Sequence, residues 1–379
     1  MKVIIAPDKF KGSLTSLEFC DIMEEAIHRI HPAVEILKFP LADGGEGFMD
    51  AVSCYTNAKL RFANVMDPLF HSVSAPWLLS VDGTRAFIEM AKASGLQLLH
   101  PSQYDCRITS SYGTGQLVNC AIQSGAREII IGVGGSATND GGMGMAVALG
   151  YRFLDKTGRE INPVGKNLIQ VERIETPPAY PHKNLRFIVA TDVENFLIGD
   201  QGATKVFARQ KGATETTVAE LERGMTHFAE VVSRETRVDV SALPGGGAAG
   251  GLGAALVAFL NAKMISGADL LLAYSHAAEQ IAIADLVITG EGKFDEQTLR
   301  GKLVSKVANL AKRHNTKLVG VFGRCEVDIA VASNIGIQKI FQLVDWAPNL
   351  EEAISGSQAI LGKIGVELGK QLLREAKNE

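Results

Sequence analysis

The sequence is short of cysteine, aromatics and long apolar runs, and each shortage excludes something. Its five cysteines (Cys20, Cys54, Cys106, Cys120 and Cys325) are odd in number, scattered and without a C-x-x-C pair. That pattern offers no structural zinc site and reads as reduced thiols of a cytoplasmic protein. Aromatic residues make up 6% of the chain, which leaves few platforms on which single-stranded nucleic acid could stack. No window approaches the ~18 uninterrupted apolar residues of a membrane span. The start, MKVIIAPDKFKGS, has a short apolar run followed by Asp8, Lys9 and Lys11, which does not read as a signal peptide. A basic excess is missing too: 38 Lys and Arg stand against 42 Asp and Glu, a net charge of −4, so neither nucleic acid nor a membrane is expected as a partner.

Several catalytic signatures are also absent. The eight histidines form no cluster and none has H-x-x-x-H spacing. There is no G-x-S-x-G elbow, and neither H-R-D nor D-F-G occurs. Gly301–Lys302 is followed by Leu303 rather than Ser or Thr, so there is no Walker A loop. Glycine, by contrast, is plentiful: 39 of 379 residues, against an ordinary ~7%. Proline does not rise with it, which rules out a low-complexity linker chain and puts the extra glycine in folded turns or loops close to a ligand.

The periodicity is that of an α/β protein. KVIIAP reads as a buried strand. Thr15 and Glu18 form a capping box ahead of the helix LEFCDIMEEAIHRI, and VEILKFP is the next strand. Strand, helix, strand within about forty residues is a βαβ unit, hence a parallel sheet. The C-terminal third repeats the theme, with strands at 285–290, 317–323 and 339–344 and a helix at 305–314 between the first two. The middle holds long glycine loops and a charged amphipathic helix at 215–235. These features predict two α/β domains. One is a discontinuous parallel-sheet domain from 1–85 and 281–379. The other, 86–280, is inserted into it, with the ligand site in the cleft between them. The alternative is two consecutive halves divided near 180, at the Pro-rich TPPAYPHKN.

The strongest local signal is GVGGSATNDGGMGMAVALG (132–150), between a strand and a helix. Gly134 and Gly135 free the backbone, and Ser136, Thr138 and Asn139 add side-chain donors, as an anion site at a helix N-terminus requires. It also reads as a tight strand-to-helix turn with Asp140 as cap. The same stretch partly matches a dinucleotide fingerprint at Gly132, Gly134 and Ala137, with Asp155 further on. PGGGAAGGLGAAL (244–256), with Gly246 and Gly247, can offer only backbone, either to a phosphate or to a neighbouring helix. QKGA (210–213) with Arg209 reads as an anion contact or as a solvated helix end. Four further segments put ionisable groups just after strands: Asp8, Lys9, Lys11 and Ser13; Asp43 and Glu46; Asp192 and Glu194; Glu291, Lys293, Asp295 and Glu296. In a parallel sheet such ends open on one edge, where carboxylates suit Mg²⁺ and lysines suit phosphate.

Taken together, APDKFKGSLTS, LADGGEG, GVGGSATNDGGMGM, ATDVENFLIGDQGATKVFARQKGA, PGGGAAGGLGAAL and GEGKFDEQTLRGK resemble the type I glycerate kinase family nearly end to end, and DWAPNLEEAI (345–354) matches near the C-terminus. Phe196 departs from the proline usual in the family, and Gly246 from a common alanine. The resemblance implies one Rossmann- or flavodoxin-like domain with the other inserted. It implies transfer of the ATP γ-phosphoryl to D-glycerate with Mg²⁺, chiefly to 2-phosphoglycerate, and it is compatible with a homodimer. On that reading Asp192 is the base, with Lys9 and Asp43 also catalytic. Asp43, Asp295 and Glu291 hold Mg²⁺. Lys11, Ser13, Gly134, Gly135, Ser136, Thr138, Asn139, Gly246, Gly247, Glu291 and Lys293 contact ATP. Two rivals stay open: an NAD(P)-dependent hydroxy-acid oxidoreductase using the loop at 132–137, and a non-catalytic sensor of a small acid.

Overall fold

β-branched runs such as Val3–Ile5 and Ile129–Ile131 mark the most deeply buried of the strands. In chain order the strands are β1 (Lys2–Ile5), β2 (Glu35–Lys38), β3 (Lys59–Met66), β4 (Ser72–Leu79), β5 (Arg85–Glu89), β6 (Glu128–Gly132), β7 (Arg152–Leu154), β8 (Arg173–Glu175), β9 (Arg186–Ala190), β10 (Lys263–Ile265), β11 (Leu286–Phe294), β12 (Lys317–Cys325) and β13 (Lys339–Gln342). A computed structural model describes residues 1–177, 184–299 and 301–378. Most of the Pro-rich stretch at 176–184, where the alternative division was expected, lies outside the described residues. The chain forms two compact units, one of Met1–Asp43, Asp50–Tyr55 and Ala268–Glu379, the other of Gly44–Met49 and Thr56–Gly267.

The first unit carries a parallel sheet in the order β13-β12-β11-β1-β2. Counted within the unit this is 2-1-3-4-5, the flavodoxin-type doubly wound order, whose switch point lies between β1 and β11. The predicted capping box starts the first crossover helix, Ser16–His28. Glu18 N–H donates to Thr15 Oγ1 at 3.1 Å, and Thr15 N–H donates to the Glu18 carboxylate at 2.8 Å. Phe19, Met23 and Ile27 then fall on the buried face, with Val3, Ile5, Ile288 and Val321 of the sheet. Helix Ser357–Asn378 lies so close that a Cβ on Gly365 would meet the Ala26 methyl at 2.6 Å.

The strand expected at 285–290 runs on to Phe294, paired with β12 as far as Cys325. Glycine was read as a loop signal here, but its missing side chain permits the pairing. A Cβ on Gly290 would lie 2.0 Å from the Val321 carbonyl oxygen, and one on Gly323 would lie 2.3 Å from that of Gly292.

The second unit holds the sheet β10-β9-β6-β5-β4-β3, parallel from β10 to β5 and antiparallel through β4 and β3. This moves both expected boundaries. The segment 59–79, expected with the chain ends, forms an antiparallel hairpin whose β4 pairs with β5, so it belongs to this sheet. At the other end the unit stops at Gly267 rather than 280. The amphipathic helix Glu215–Thr236 buries Leu221, Met225, Phe228 and Val232 along one stripe. The glycine-led helices Met143–Ala148 and Leu252–Leu260 are buried, as their all-round apolarity predicts.

Candidate active site

In the first unit the chain leaving β1 follows β11. Ala6 N–H donates to Ile288 O and Asp8 N–H to Gly290 O, both at 2.8 Å. Asp8, just beyond β1, and Glu291, on β11, are thereby fixed at the two strands that flank the switch point. The chain then turns at Gly12, with Phe10 N–H donating to Leu14 O at 2.8 Å, and presents Lys11 and Ser13. These residues, with Lys9, Asp43, Lys293, Asp295, Lys302 and Arg324, line a pocket of about 450 Å³. Lys9 Nζ lies 3.4 Å from an Asp43 carboxylate oxygen. Lys293 Nζ lies 3.3 Å from Asp295 and 2.8 Å from Glu326. The Thr298 hydroxyl donates to Glu291 at 2.7 Å.

The carboxylates share an unfavourable field. Burial pushes the Asp8 carboxyl well above its ordinary range, and the charges of Asp43 and Glu291 add to this against the pull of Lys9. Burial likewise raises Glu291 to about 7, against a hydrogen bond from Thr298. At Asp295 burial acts upward too, but the Gln297 N–H and Lys293 outweigh it and hold the group low. A divalent cation would relieve this crowding. Among the described residues no three His, Cys, Asp or Glu side chains converge tightly enough to hold a metal by themselves. One or two of these carboxylates could still serve a divalent cation that keeps most of its waters. Lys302 and Arg324 join this pocket without a sequence signal, whereas Asp8 carries the same one as its neighbours, an ionisable group just after a strand.

In the second unit the glycine loop after β6 is tied down by its own surroundings. Thr138, Asn139 and Asp140 are completely buried. The Asn139 amide donates to Thr204 Oγ1 at 3.1 Å, and the Thr138 hydroxyl to Ala249 O at 3.4 Å. Asp140 accepts from Ser111 N–H and Oγ at 2.8 Å, and from Gly142 and Gly144 N–H at 3.1 Å. The helix N-terminus expected to receive an anion is thus occupied by the protein's own carboxylate. Burial raises the Asp140 pKa, and these hydrogen bonds oppose the rise. Ala137 and Gly141 N–H are spent on Ser94 O and Gly250 O. Gly134 packs on Gly45, Gly135 is exposed, and Ser136 is nearly buried.

Lys211, from the basic QKGA stretch, is not solvated. It is 2% exposed, and its Nζ donates to Ser136 Oγ and Thr138 O, each at 2.7 Å. The second glycine loop serves close packing. Gly246 and Gly247 are buried with N–H groups donating to Leu243 O and Asn195 O, and a Cβ on Gly250 would lie 2.0 Å from Thr138 O.

At the carboxyl edge of the same sheet, half-buried Asp192 follows β9 and accepts a hydrogen bond from the Ser266 hydroxyl after β10. Glu89 ends β5 fully buried, accepting from Met49 N–H at 3.3 Å and pairing with Lys92 at 3.7 Å. It was missed, although it too ends a predictable strand. The dinucleotide reading fails on geometry. No helix starts until Met143, and Asp155 sits in a tight turn, accepting from Thr157 and Arg159.

The model of the glycerate kinase family matches residues 3–373. The chain belongs to the glycerate kinase family. It is 43% identical over 94% of both chains to the glycerate 2-kinase of Escherichia coli K12, and 41% identical over 93% of both to the glycerate kinase of Bacillus subtilis 168. A crystal structure described as a glycerate kinase 2 of Salmonella typhimurium LT2 superposes with a TM-score of 0.83 at 40% identity, covering 100% of this chain and 99% of that one. The chain is therefore an enzyme of the glycerate kinase family, and no helix among its described residues is long and apolar enough to cross a membrane.

Proposed function

We propose that this glycerate kinase transfers the γ-phosphoryl group of ATP to the 2-hydroxyl of D-glycerate, giving 2-phosphoglycerate and ADP. The observation that carries the reading is the pocket of the first unit, where lysines and carboxylates crowd the switch point of a flavodoxin-type sheet. Phosphoryl transfer is mostly positioning and charge stabilisation, and a mixed-charge pocket of this kind suits it.

Lys9, Lys11 and Lys302 are assigned to the phosphate oxygens, with Ser13 beside them. One or two of Asp43, Glu291 and Asp295 would hold Mg²⁺ together with its waters, and the ion would supply charge neutralisation on the phosphate oxygens. Asp192 takes the proton of the attacking hydroxyl as the new P–O bond forms and the bond to the β-phosphate oxygen breaks. The Ser266 hydroxyl, donating to the Asp192 carboxylate, fixes its orientation. Ser136, which accepts from Lys211, is assigned to the acid substrate.

ADP release tests the reading. It should require D-glycerate and a divalent cation together. Nicotinamide reduction by a hydroxy acid in place of ADP release would overturn it.

A further inference from the structure

The motif DWAPNLEEAI plays no part in the chemistry above, yet its helix borders the same pocket. Besides the charged residues, the pocket is lined by Leu343, Leu350, Ala353 and Ile354. The two sets come from different strands. Asp8, Lys9 and Lys11 follow β1, Glu291 and Lys293 lie on β11, Arg324 is on β12, and the apolar residues follow β13. Since the sheet order is β13-β12-β11-β1, polarity changes along one sheet edge, from charged to apolar, across three strand spacings or roughly 14 Å.

The apolar end is built rather than incidental. Helix Leu350–Ser355 is capped by Asn349, whose side chain accepts from Glu352 N–H and donates to the Glu352 carboxylate, both at 2.9 Å. Leu350 and Ile354, four residues apart, share one face of it. Leu343 and Ala353 are buried, while Leu350 and Ile354 are 51% and 46% exposed. Large aliphatic side chains exposed at the wall of a polar pocket mark a ligand surface.

We propose that this wall is the subsite for the purine base of the nucleoside triphosphate, with Leu350 and Ile354 covering its face while the polyphosphate extends toward β11 and β1. The inference rests on the reading of the charged end as the polyphosphate site. A nucleoside triphosphate has the same asymmetry as the pocket, with a dense anion at one end and a flat apolar ring system at the other.

The test uses the full-length enzyme with Leu350→Ser and Ile354→Ser, singly and together. Both side chains are half exposed, so folding should survive. Three quantities are compared: KM for ATP, KM for D-glycerate, and the inhibition constant of inorganic tripolyphosphate against ATP. The double variant should raise KM for ATP about tenfold or more, leaving the other two within about twofold. An unchanged KM for ATP overturns the proposal. So does an equal weakening of tripolyphosphate, or a parent enzyme that is dimeric through this face and becomes monomeric in the variant. If the parent phosphorylates no glycerate, the proposed function falls by itself. Calorimetric binding of ATP and tripolyphosphate to the same proteins then decides the base subsite separately.

Discussion

The ammonium group of Lys211 donates to the hydroxyl of Ser136 at 2.7 Å in the interior of the second unit. Accepting that bond leaves the Ser136 proton free to point elsewhere, so a buried lysine sets the direction of a loop hydroxyl. The arrangement has a cost. Burial pulls the Lys211 pKa down to about 8, while the charges of Cys106 and Asp140 act the other way.

The sign of the resulting pH dependence follows. Between pH 8 and about 10.5 the folded chain has shed the Lys211 proton and the unfolded chain still holds it. The cost of burying the ammonium is thus full below pH 8 and is relieved as pH rises across that window, by up to ~1.4 kcal/mol per pH unit. Relative to Lys211→Met, the parent should gain stability from pH 7.5 to 10, read as the difference between their urea midpoints. A gap that stays constant, or moves the other way, contradicts the assignment.

Asp140→Ala should be among the most damaging substitutions in the second unit. It strands four buried donors, from Ser111, Gly142 and Gly144. At ~1–3 kcal/mol each the loss is at least ~3 kcal/mol even with relaxation. Asp140→Asn keeps one acceptor oxygen and should fall between. Thermal unfolding of the three proteins checks the ranking; a silent alanine variant would refute the hub role.

Two glycines separate close packing from backbone strain. Gly250 has φ +64° and would place a Cβ 2.0 Å from Thr138 O, whereas Gly158 has φ +80° and open space around it. Gly158→Ala should cost only the left-handed penalty of ~1–2 kcal/mol. Gly250→Ala must also push two glycine loops apart and should cost several kcal/mol more. Equal unfolding midpoints for the two variants would show that the loops are not tightly apposed.

Much of this was legible in the sequence. Thr15 and Glu18 announced their helix, strand patterns at both chain ends announced the parallel sheet of the first unit, and strand-end ionisable residues gathered Asp8, Lys9, Asp43 and Glu291. What local pattern leaves open has a physical cause. Glycine signals loops and close backbone approach alike, and local pattern cannot tell which. Gly290 and Gly292 lie inside a strand, and Gly246, Gly247 and Gly250 pack backbone on backbone. Hydroxyls and amides beside glycine suggested ligand contacts, but Thr138 and Asn139 satisfy buried groups from Ala249 and Thr204, far away in sequence. The β3–β4 hairpin was not read from the sequence, and periodicity in any case says nothing about which sheet a strand joins.

Asp192→Asn keeps the shape of the side chain and removes its basicity. With Asp192 as the base, turnover should fall at least ~10²-fold, while calorimetric affinity for ATP stays within about twofold. Turnover near that of the parent would remove Asp192 from the base role and leave the pocket of the first unit unaffected.

The central claim, phosphoryl transfer from ATP to a hydroxyl of D-glycerate, is tested most directly by phosphorus NMR of the enzyme with both substrates and Mg²⁺. The account predicts loss of the γ-phosphate signal and growth of a phosphomonoester resonance coupled to the C2 proton. Inorganic phosphate alone, or an unchanged triphosphate spectrum, would contradict it.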